Sequence, residues 1–132
     1  DIHVEVAPVD YRDLSSPIPT GESSGRIRKR VMMAREAQCR RFAGIPGIRC
    51  NGSMTSSLVR KYCRLEDRGK KLLKSAMDLY GFSARAYDRI VKVSRTIADL
   101  AGSDAIGPEH IAEAVQYRSM TTGLTEGRTP FM

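Results

Sequence analysis

Residues 83–100 read SARAYDRIVKVSRTIADL, and this stretch decides the fold. Apolar residues recur in it every three or four positions, which is the spacing of one face of an α-helix. Ser83 is suited to cap the first turn, and Gly102 is suited to end the helix in a left-handed conformation. The pattern predicts an amphipathic helix over 84–101. Its apolar stripe is Ala86, Tyr87, Ile90, Val93 or Ser94, Ile97 and Ala101, and its exposed stripe is Arg85, Arg89, Lys92 and Thr96.

Four further helices are predicted around this one by the same periodicity. A cluster of Gly, Pro and Asn over 44–52 breaks the pattern and predicts a surface loop. Gly81 and Pro108 mark the end of one helix and the start of another. We therefore expect an all-α bundle of about five helices. The four additional ranges are 24–42, 55–63, 66–80 and 108–117.

The two ends of the chain differ from this helical middle. The segment 2–6 alternates apolar and polar residues, which predicts a short strand, and 7–22 is a linker rich in proline. A lone strand needs partners from elsewhere, so we expect this chain to be a piece of a longer protein. The tail 119–132 lacks periodicity and is expected to be flexible. The predicted divisions are 1–22, 23–118 and 119–132.

Size and composition restrict the classes of protein that are possible. A chain of 132 residues fits one compact domain, and it contains no run of 18 apolar residues that would predict a membrane span. The first residues do not resemble a secretory signal, so we expect a cytoplasmic protein without membrane partners. Three widely spaced cysteines, Cys39, Cys50 and Cys63, favour reduced structural thiols over a zinc site or disulfides.

Positive charge is concentrated in one part of the chain. The net charge is +7, yet residues 1–22 carry five acidic side chains against one basic, and residues 26–41 carry seven basic against one acidic. The cations Arg26, Arg28, Lys29 and Arg30 could neutralise DNA phosphates. They could equally form a solvated helix face or meet an acidic neighbouring subunit. Both interpretations stay open at this stage.

Motifs for independent catalysis are missing from the sequence. It contains no GxxxxGK[ST] phosphate loop, no HExxH pair and no GxSxG elbow. The two histidines, His3 and His110, lie at opposite ends of the chain and favour ordinary surface or core roles. We therefore expect that this chain is not an enzyme on its own.

The sequence resembles the C-terminal helical segment of the magnesium-chelatase-like AAA+ ATPases, a family that includes bacterial competence proteins. Segment 83–100 carries most of the resemblance, and HIAEAVQYR at 110–118 extends it. Three shorter matches precede these in the same order, at 1–6, 35–42 and 62–65. The loop at 51–54 departs from the family pattern. The tail after Arg118 lies outside the resemblance.

The resemblance implies a function for the longer protein. The predicted strand at the start of this chain would end the ATPase core, and the helices of this chain would form a lid over ATP and magnesium. Neither ATP nor magnesium is expected to bind to this chain alone. Partners would be the N-terminal core and the neighbouring subunits of a homo-oligomeric, hexameric ring, which would remodel DNA in competence or recombination. Two alternatives stay open: a stand-alone nucleic-acid-binding helical domain, and the lid of a chelatase subunit that acts in porphyrin metallation.

Arg85 matches the sensor-2 arginine of that family. With Ser83 as the cap, Arg85 is the second residue of its helix, beside backbone N–H groups that lack intrahelical acceptors. A cation is unfavourable there until an anion such as the γ-phosphate arrives. The alternative is that Arg85 pairs with Asp88 or extends into water. Arg89, one turn later, could join the same anion site or belong to an exposed stripe.

Overall fold

The computed structural model describes residues 2–18 and 21–119, and in these ranges the protein is helical. The five predicted helices are confirmed, with ends that lie within two residues of the predicted ones. A one-turn helix in the predicted linker, α1, was not expected. The helices are α1 (Tyr11–Leu14), α2 (Ser24–Arg41), α3 (Ser56–Tyr62), α4 (Asp67–Tyr80), α5 (Ala84–Leu100) and α6 (Pro108–Ser119), and a 3-10 turn occupies Asn51–Ser53.

The short strand predicted for residues 2–6, with partner strands from elsewhere in a longer protein, stays a prediction. Residues 2–10 are exposed and form no strand pairing with 11–18 or 21–119. The backbone N–H of His3 donates to the carbonyl of Tyr117 at 3.0 Å. An alternating pattern needs a neighbouring strand to form a ladder, and the described helices offer none. Residues 120–132, most of the predicted flexible tail, lie outside the described residues.

Local capping groups explain where the main helices begin and end. The hydroxyl of Ser23 accepts the N–H of Arg26 at the start of α2, and that of Ser83 accepts the N–H of Ala86 at 3.3 Å at the start of α5. Each satisfies one of the backbone donors that a helix leaves free in its first turn. Gly81 ends α4 with a φ of 63°, a left-handed conformation that glycine adopts without steric cost.

Helix α5 lies at the centre of the bundle and packs against α2, α3, α6 and the Asn51–Ser53 turn. Its residues Ile90, Val91 and Ala98 are buried in the core, together with residues of α3, α4 and α6. Non-directional apolar burial of this kind is the main favourable term in folding. The core therefore forms around the stretch of sequence that predicted the fold. Other core members include Phe42, Val59, Leu73, Ile106 and Ile111.

Helix α2 belongs to the bundle along only part of its length. The sequence predicts one inward stripe, and its later members Ala34, Gln38 and Phe42 are buried. Its earlier members Ile27 and Val31 are 42% and 45% exposed, because no described element packs over the first turns of α2. The first half of α2, residues 24–33, therefore projects from the bundle, and we call it the projecting half of α2.

Three details of the predicted α5 faces need correction. Tyr87 and Ala101, predicted to face inward, are exposed, whereas Arg95 and Asp99 are buried at 2% and 6% exposure. In the predicted exposed stripe, Arg89, Lys92 and Thr96 are half-buried; the Nζ of Lys92 donates to the carbonyl of Gly52 at 3.3 Å, and the Nδ2 of Asn51 donates to the Thr96 hydroxyl at 3.1 Å. The turn at 51–53 thus covers part of α5 that periodicity alone predicts to be in water.

Gly69 allows α4 and α6 to approach closely, and a methyl group there should destabilise the bundle. A Cβ at position 69 would lie 2.7 Å from Cδ1 of Ile111, which is 1% exposed and has little room to move. We expect Gly69→Ala to lower the free energy of unfolding by about 1–3 kcal/mol in chemical denaturation followed by circular dichroism.

Gly25→Ala is the matched control, since Gly25 also lies in a helix and a Cβ there would meet no atom within 4 Å. That change should leave stability unaltered or raise it by up to about 1 kcal/mol. Equal stability of the Gly69→Ala variant and the unmodified chain would contradict the close packing of α4 on α6.

Candidate functional site

Arg85 lies in the first turn of α5, and its side chain is exposed. The carbonyl of Ser83 accepts the N–H of Tyr87 at 3.0 Å, and the Ser83 hydroxyl accepts that of Ala86. The N–H groups of Ala84 and Arg85 therefore precede the first intrahelical bond and remain available to an acceptor. This end of α5 combines a guanidinium, free donors and the positive end of a helix dipole.

The alternative ion pair between Arg85 and Asp88 is not formed. Within 2–18 and 21–119, no hydrogen bond or ion pair joins the Arg85 side chain to another residue. Asp88 instead accepts the hydroxyl of Ser56 at 3.3 Å, which joins the start of α3 to α5. The Arg85 guanidinium therefore extends toward solvent in the described part of the structure.

Arg89, the second candidate for the same site, has a different setting. It is half-buried and lines a groove of about 580 Å³, with Lys92 and Thr96 on α5 and Tyr117 on α6. Arg85 is not part of this groove. The two arginines are one helical turn apart, so a ligand at the start of α5 would meet Arg85 first and Arg89 at its edge.

Sequence patterns did not reveal the buried polar cluster, which we define as Gln38, Arg41, Asn51, Arg95 and Asp99. Its centre is the Asp99 carboxylate, whose side chain is 1% exposed. Arg41 donates to both Asp99 oxygens, at 2.8 and 2.5 Å. The Nδ2 of Asn51 donates to the same carboxylate at 2.8 Å, and the Nε of Arg95 does so at 3.1 Å. One carboxylate thus joins α2, the Asn51–Ser53 turn and α5.

The remaining polar groups of the cluster are paired as well. The Oε1 of Gln38 accepts the backbone N–H of Asn51 at 3.0 Å, and the Oδ1 of Asn51 accepts from Arg41 at 2.9 Å. Arg95 also donates to the carbonyls that follow α5, at 2.5 Å to Ser103 and 2.7 Å to Asp104. Among the residues that the structure describes, no buried side-chain N or O atom lacks a partner.

The charges in the cluster stabilise one another. Burial by itself raises the pKa of Asp99, but hydrogen bonds from Arg41 and Asn51 and the charges of Arg95 and Arg41 lower it further than burial raises it. The net result is a pKa below the ordinary value of 3.8. The hydrogen bond to Asp99 in turn raises the pKa of Arg41. A carboxylate whose pKa is lowered by folding stabilises the fold at pH values above its unfolded-state pKa. That contribution is lost as the pH falls through the pKa of the folded state.

The predicted DNA-binding cations Arg26, Arg28, Lys29 and Arg30 are all exposed on the projecting half of α2. They do not share one face. Three of them line a cleft of about 700 Å³ between α2 and the end of α5, and Arg28 does not. Carboxylates of Glu22, Glu36 and Asp104 line the same cleft, and Glu22 pairs with Arg30 at 2.9 Å. The cleft has mixed charge, whereas the projecting half itself is basic on several sides.

The three cysteines differ in exposure: Cys63 is buried, Cys50 is half-buried and Cys39 is exposed. All three cysteines are free, and burial raises the pKa of the Cys63 thiol to about 11. His110 is buried, and its Nδ1 accepts the N–H of Gly107 at 3.0 Å. In the described ranges, no group of three or more His, Cys, Asp or Glu side chains could hold a metal ion. In the same ranges, no helix is long and apolar enough to cross a membrane.

Comparison with known proteins agrees with the resemblance seen in the sequence. Competence protein ComM of Haemophilus influenzae is 38% identical over 120 residues, which cover 91% of this chain and 23% of that protein. Protein YifB of Escherichia coli is 37% identical over the same shares. Protein Mb2921c of Mycobacterium bovis is 35% identical over 98 residues, 74% of this chain and 19% of that protein. The chain thus spans less than a quarter of the length of these relatives.

A family model also matches most of the chain. The model is described as the C-terminal part of magnesium chelatase subunit ChlI, and it matches residues 21–118. This range takes in α2 to α5 and nearly all of α6, and with them Arg85 and the whole buried polar cluster. The chain therefore belongs to the magnesium chelatase C-terminal domain family.

Proposed function

We propose that this chain is the helical lid of an AAA+ ATPase and that Arg85 contacts the γ-phosphate of ATP held by the rest of the protein. The observation that carries the proposal is the exposed guanidinium of Arg85 in the first turn of α5, beside the free N–H groups of Ala84 and Arg85. Backbone donors, a helix dipole and a forked cation are the groups that bind phosphate in proteins.

The proposed role of Arg85 is electrostatic. In phosphoryl transfer, negative charge on the transferring group and leaving oxygen must be stabilised, and a positioned guanidinium does this without taking part in a covalent step. ATP and magnesium are the proposed cofactors of the whole protein, and its other segments would hold them. Arg89 would contribute at the edge of the site. In this proposal the protein acts in the cytoplasm, where ATP is available and free thiols stay reduced.

The distribution of exposed apolar residues supports the proposal that this chain binds other protein segments. Eleven of the fourteen exposed large hydrophobic residues described lie between Ile2 and Met33, in the first segment and the projecting half of α2. A concentration of apolar surface in one region is typical of an interaction site. In this proposal the surface packs against the N-terminal ATPase core and against neighbouring subunits of a homo-hexameric ring.

A second candidate function is DNA binding, as part of a DNA-remodelling motor or as a separate basic module. The observation that favours it is that Arg26, Arg28, Lys29 and Arg30 are exposed together on a helix segment that projects from the bundle. One similar protein is named a competence protein, and that name applies to the relative. A chelatase lid acting in porphyrin metallation is a further alternative that the family description supports.

Replacing Arg85 in the full-length protein should depress ATP turnover and leave folding intact. We expect Arg85→Ala to lower the turnover number about 100-fold or more, since the loss of one positioned donor to a developing charge has effects of this size. Steady-state ATP hydrolysis measures the change, and circular dichroism checks the fold. Arg68→Ala is the matched control, because Arg68 is an exposed arginine in the first turn of α4. Turnover of the Arg85→Ala variant equal to that of the control would refute the assignment.

DNA binding by this chain should depend on salt and on the projecting half of α2. We expect the affinity for duplex DNA to fall as salt rises, with a logarithmic slope of about 0.9 per phosphate neutralised. Changing Arg26, Arg28, Lys29 and Arg30 to alanine should weaken binding and flatten this slope in fluorescence anisotropy titrations at two salt concentrations.

The control for this titration removes the same charge elsewhere. Arg68, Lys70, Lys71 and Lys74 are four exposed cations on α4, and their replacement by alanine changes the net charge equally. That variant should keep most of the affinity and the slope. Absent binding, salt-independent binding, or equal losses in the two variants would argue against α2 as a DNA-binding segment.

A further inference from the structure

Helix α5 carries both Arg85 and Asp99, the centre of the buried polar cluster. Arg85 lies in its first turn and Asp99 in its last, fourteen residues apart, which corresponds to about 21 Å along the helix axis. Between them α5 is an uninterrupted α-helix that is buried along one side. A rigid helix transmits any rotation or shift of one end to the other. Whatever fixes the rotation of α5 at Asp99 therefore also fixes the backbone position from which the Arg85 side chain extends.

Apolar packing holds α5 in the bundle through Ile90, Val91 and Ala98, and a directional contact would fix its rotation further. Its buried residues include the small side chains Ala86, Ser94 and Ala98, and apolar contacts are non-directional. A rotation of about 20° would displace a group about 6 Å from the helix axis by about 2 Å. Misplacement of a catalytic group by about 1 Å can lower a rate about 100-fold. Accurate placement of Arg85 thus needs a directional contact elsewhere on α5.

The buried polar cluster supplies that directional contact. Arg41 of α2 donates to both carboxylate oxygens of Asp99 on α5. This geometry fixes the orientation of the planar guanidinium relative to the carboxylate. Asn51 holds the same carboxylate from the 51–53 turn at 2.8 Å. Buried ion pairs add little net stability compared with apolar side chains of equal volume, and in some proteins they select one arrangement of the fold.

The pairing within the cluster argues against a ligand site. Asp99 accepts from Arg41, Asn51 and Arg95, so its two oxygens are occupied. No buried side-chain N or O atom in the described residues is left for a ligand to satisfy. Arg41 and Asp99 also line the cleft between α2 and the end of α5, but their polar atoms are already paired within the protein. An effect of the cluster on Arg85 would therefore pass through α5, the helix that carries both Asp99 and Arg85.

We propose that Asp99, held by Arg41 and Asn51, is a positioning residue for Arg85: it sets the rotation of α5 against α2 and thereby aims the Arg85 guanidinium at the γ-phosphate. This inference rests on the proposed function of Arg85. It assigns a role to the 51–53 turn, which supplies Asn51 as the third contact. It also predicts that the two ends of α5 act as one unit in catalysis.

A double-mutant cycle in the full-length protein tests this coupling. The variants are Arg85→Ala, Asp99→Asn and both together, and ATP turnover is measured at a temperature where circular dichroism shows each of them folded. Asp99→Asn keeps the side-chain volume and removes the charge that orients both arginines. We expect it to lower turnover about 10- to 100-fold alone and by less than about twofold when Arg85 is already alanine. Residues this far apart are otherwise expected to have additive effects.

Two further variants separate orientation from stability. Arg41→Lys keeps the charge and loses the two-pronged hydrogen bond, so it should behave like Asp99→Asn. Asn51→Ala removes one contact without leaving a charge unpaired, and it replaces Asp99→Asn in the cycle if that variant does not fold. Gly69→Ala is the control, because it loosens α4 against α6 and leaves the cluster intact, and its effect on turnover should be the same with or without Arg85.

The outcomes distinguish the inference from the function on which it rests. Full turnover in Arg85→Ala would overturn the proposed function and the positioning role with it. A second outcome is that Arg85→Ala lowers ATP turnover strongly, and that a cluster variant then lowers it by the same factor whether or not Arg85 is present. This outcome would overturn the positioning role and leave the phosphate contact in place. The inference is also overturned if the cluster variants turn over ATP at the unmodified rate.

Discussion

The arrangement of the bundle depends on one buried carboxylate. Asp99 is removed from water, and an isolated charge in such a place would cost several kcal/mol. The cost is offset because Arg41 and Arg95 bring two positive charges and Asn51 adds a neutral donor. The pairing can form in one arrangement of α2, the 51–53 turn and α5, since each contributes a donor at a fixed place. A packing that kept Asp99 buried and moved these donors away would leave its charge unpaired, at a cost of several kcal/mol.

Apolar burial and the polar cluster thus have separate consequences. The apolar residues of α3 to α6 make the bundle compact, and contacts such as that of Gly69 with Ile111 set how closely two helices approach. The cluster, together with the core residues Phe42 and Met54, places α2 and the 51–53 turn on α5. Because α2 is held through its second half, its first half can extend from the bundle with both charged and apolar groups exposed. The surface proposed to bind partners is therefore exposed because the cluster contacts only the second half of α2.

Periodicity and capping chemistry predicted the five main helices and the place of Arg85, because both depend on residues close together in sequence. The burial of Arg95 and Asp99 was missed for the opposite reason. Asp99 pairs with residues 58 and 48 positions away, and a charged side chain without a known partner is expected in water. The available signal was that Arg95 and Asp99 share the α5 face of Val91 and Ala98. Likewise, the stripe of Ile27 and Val31 could not show where the covering elements end.

The two arginines near the ends of α5 lie in opposite electrostatic settings. Arg95 donates to carbonyls beyond the C-terminus of the helix, where the dipole is negative, so its charge stabilises the fold locally. Arg85 lies at the positive end, among donors of the same sign, and no described residue compensates it. A cation in that place weakens the helix until an anion binds between the guanidinium and the free N–H groups. The described helices supply no hydrogen-bond or ion-pair partner for the Arg85 side chain, and in the proposed function the γ-phosphate of ATP would be that partner.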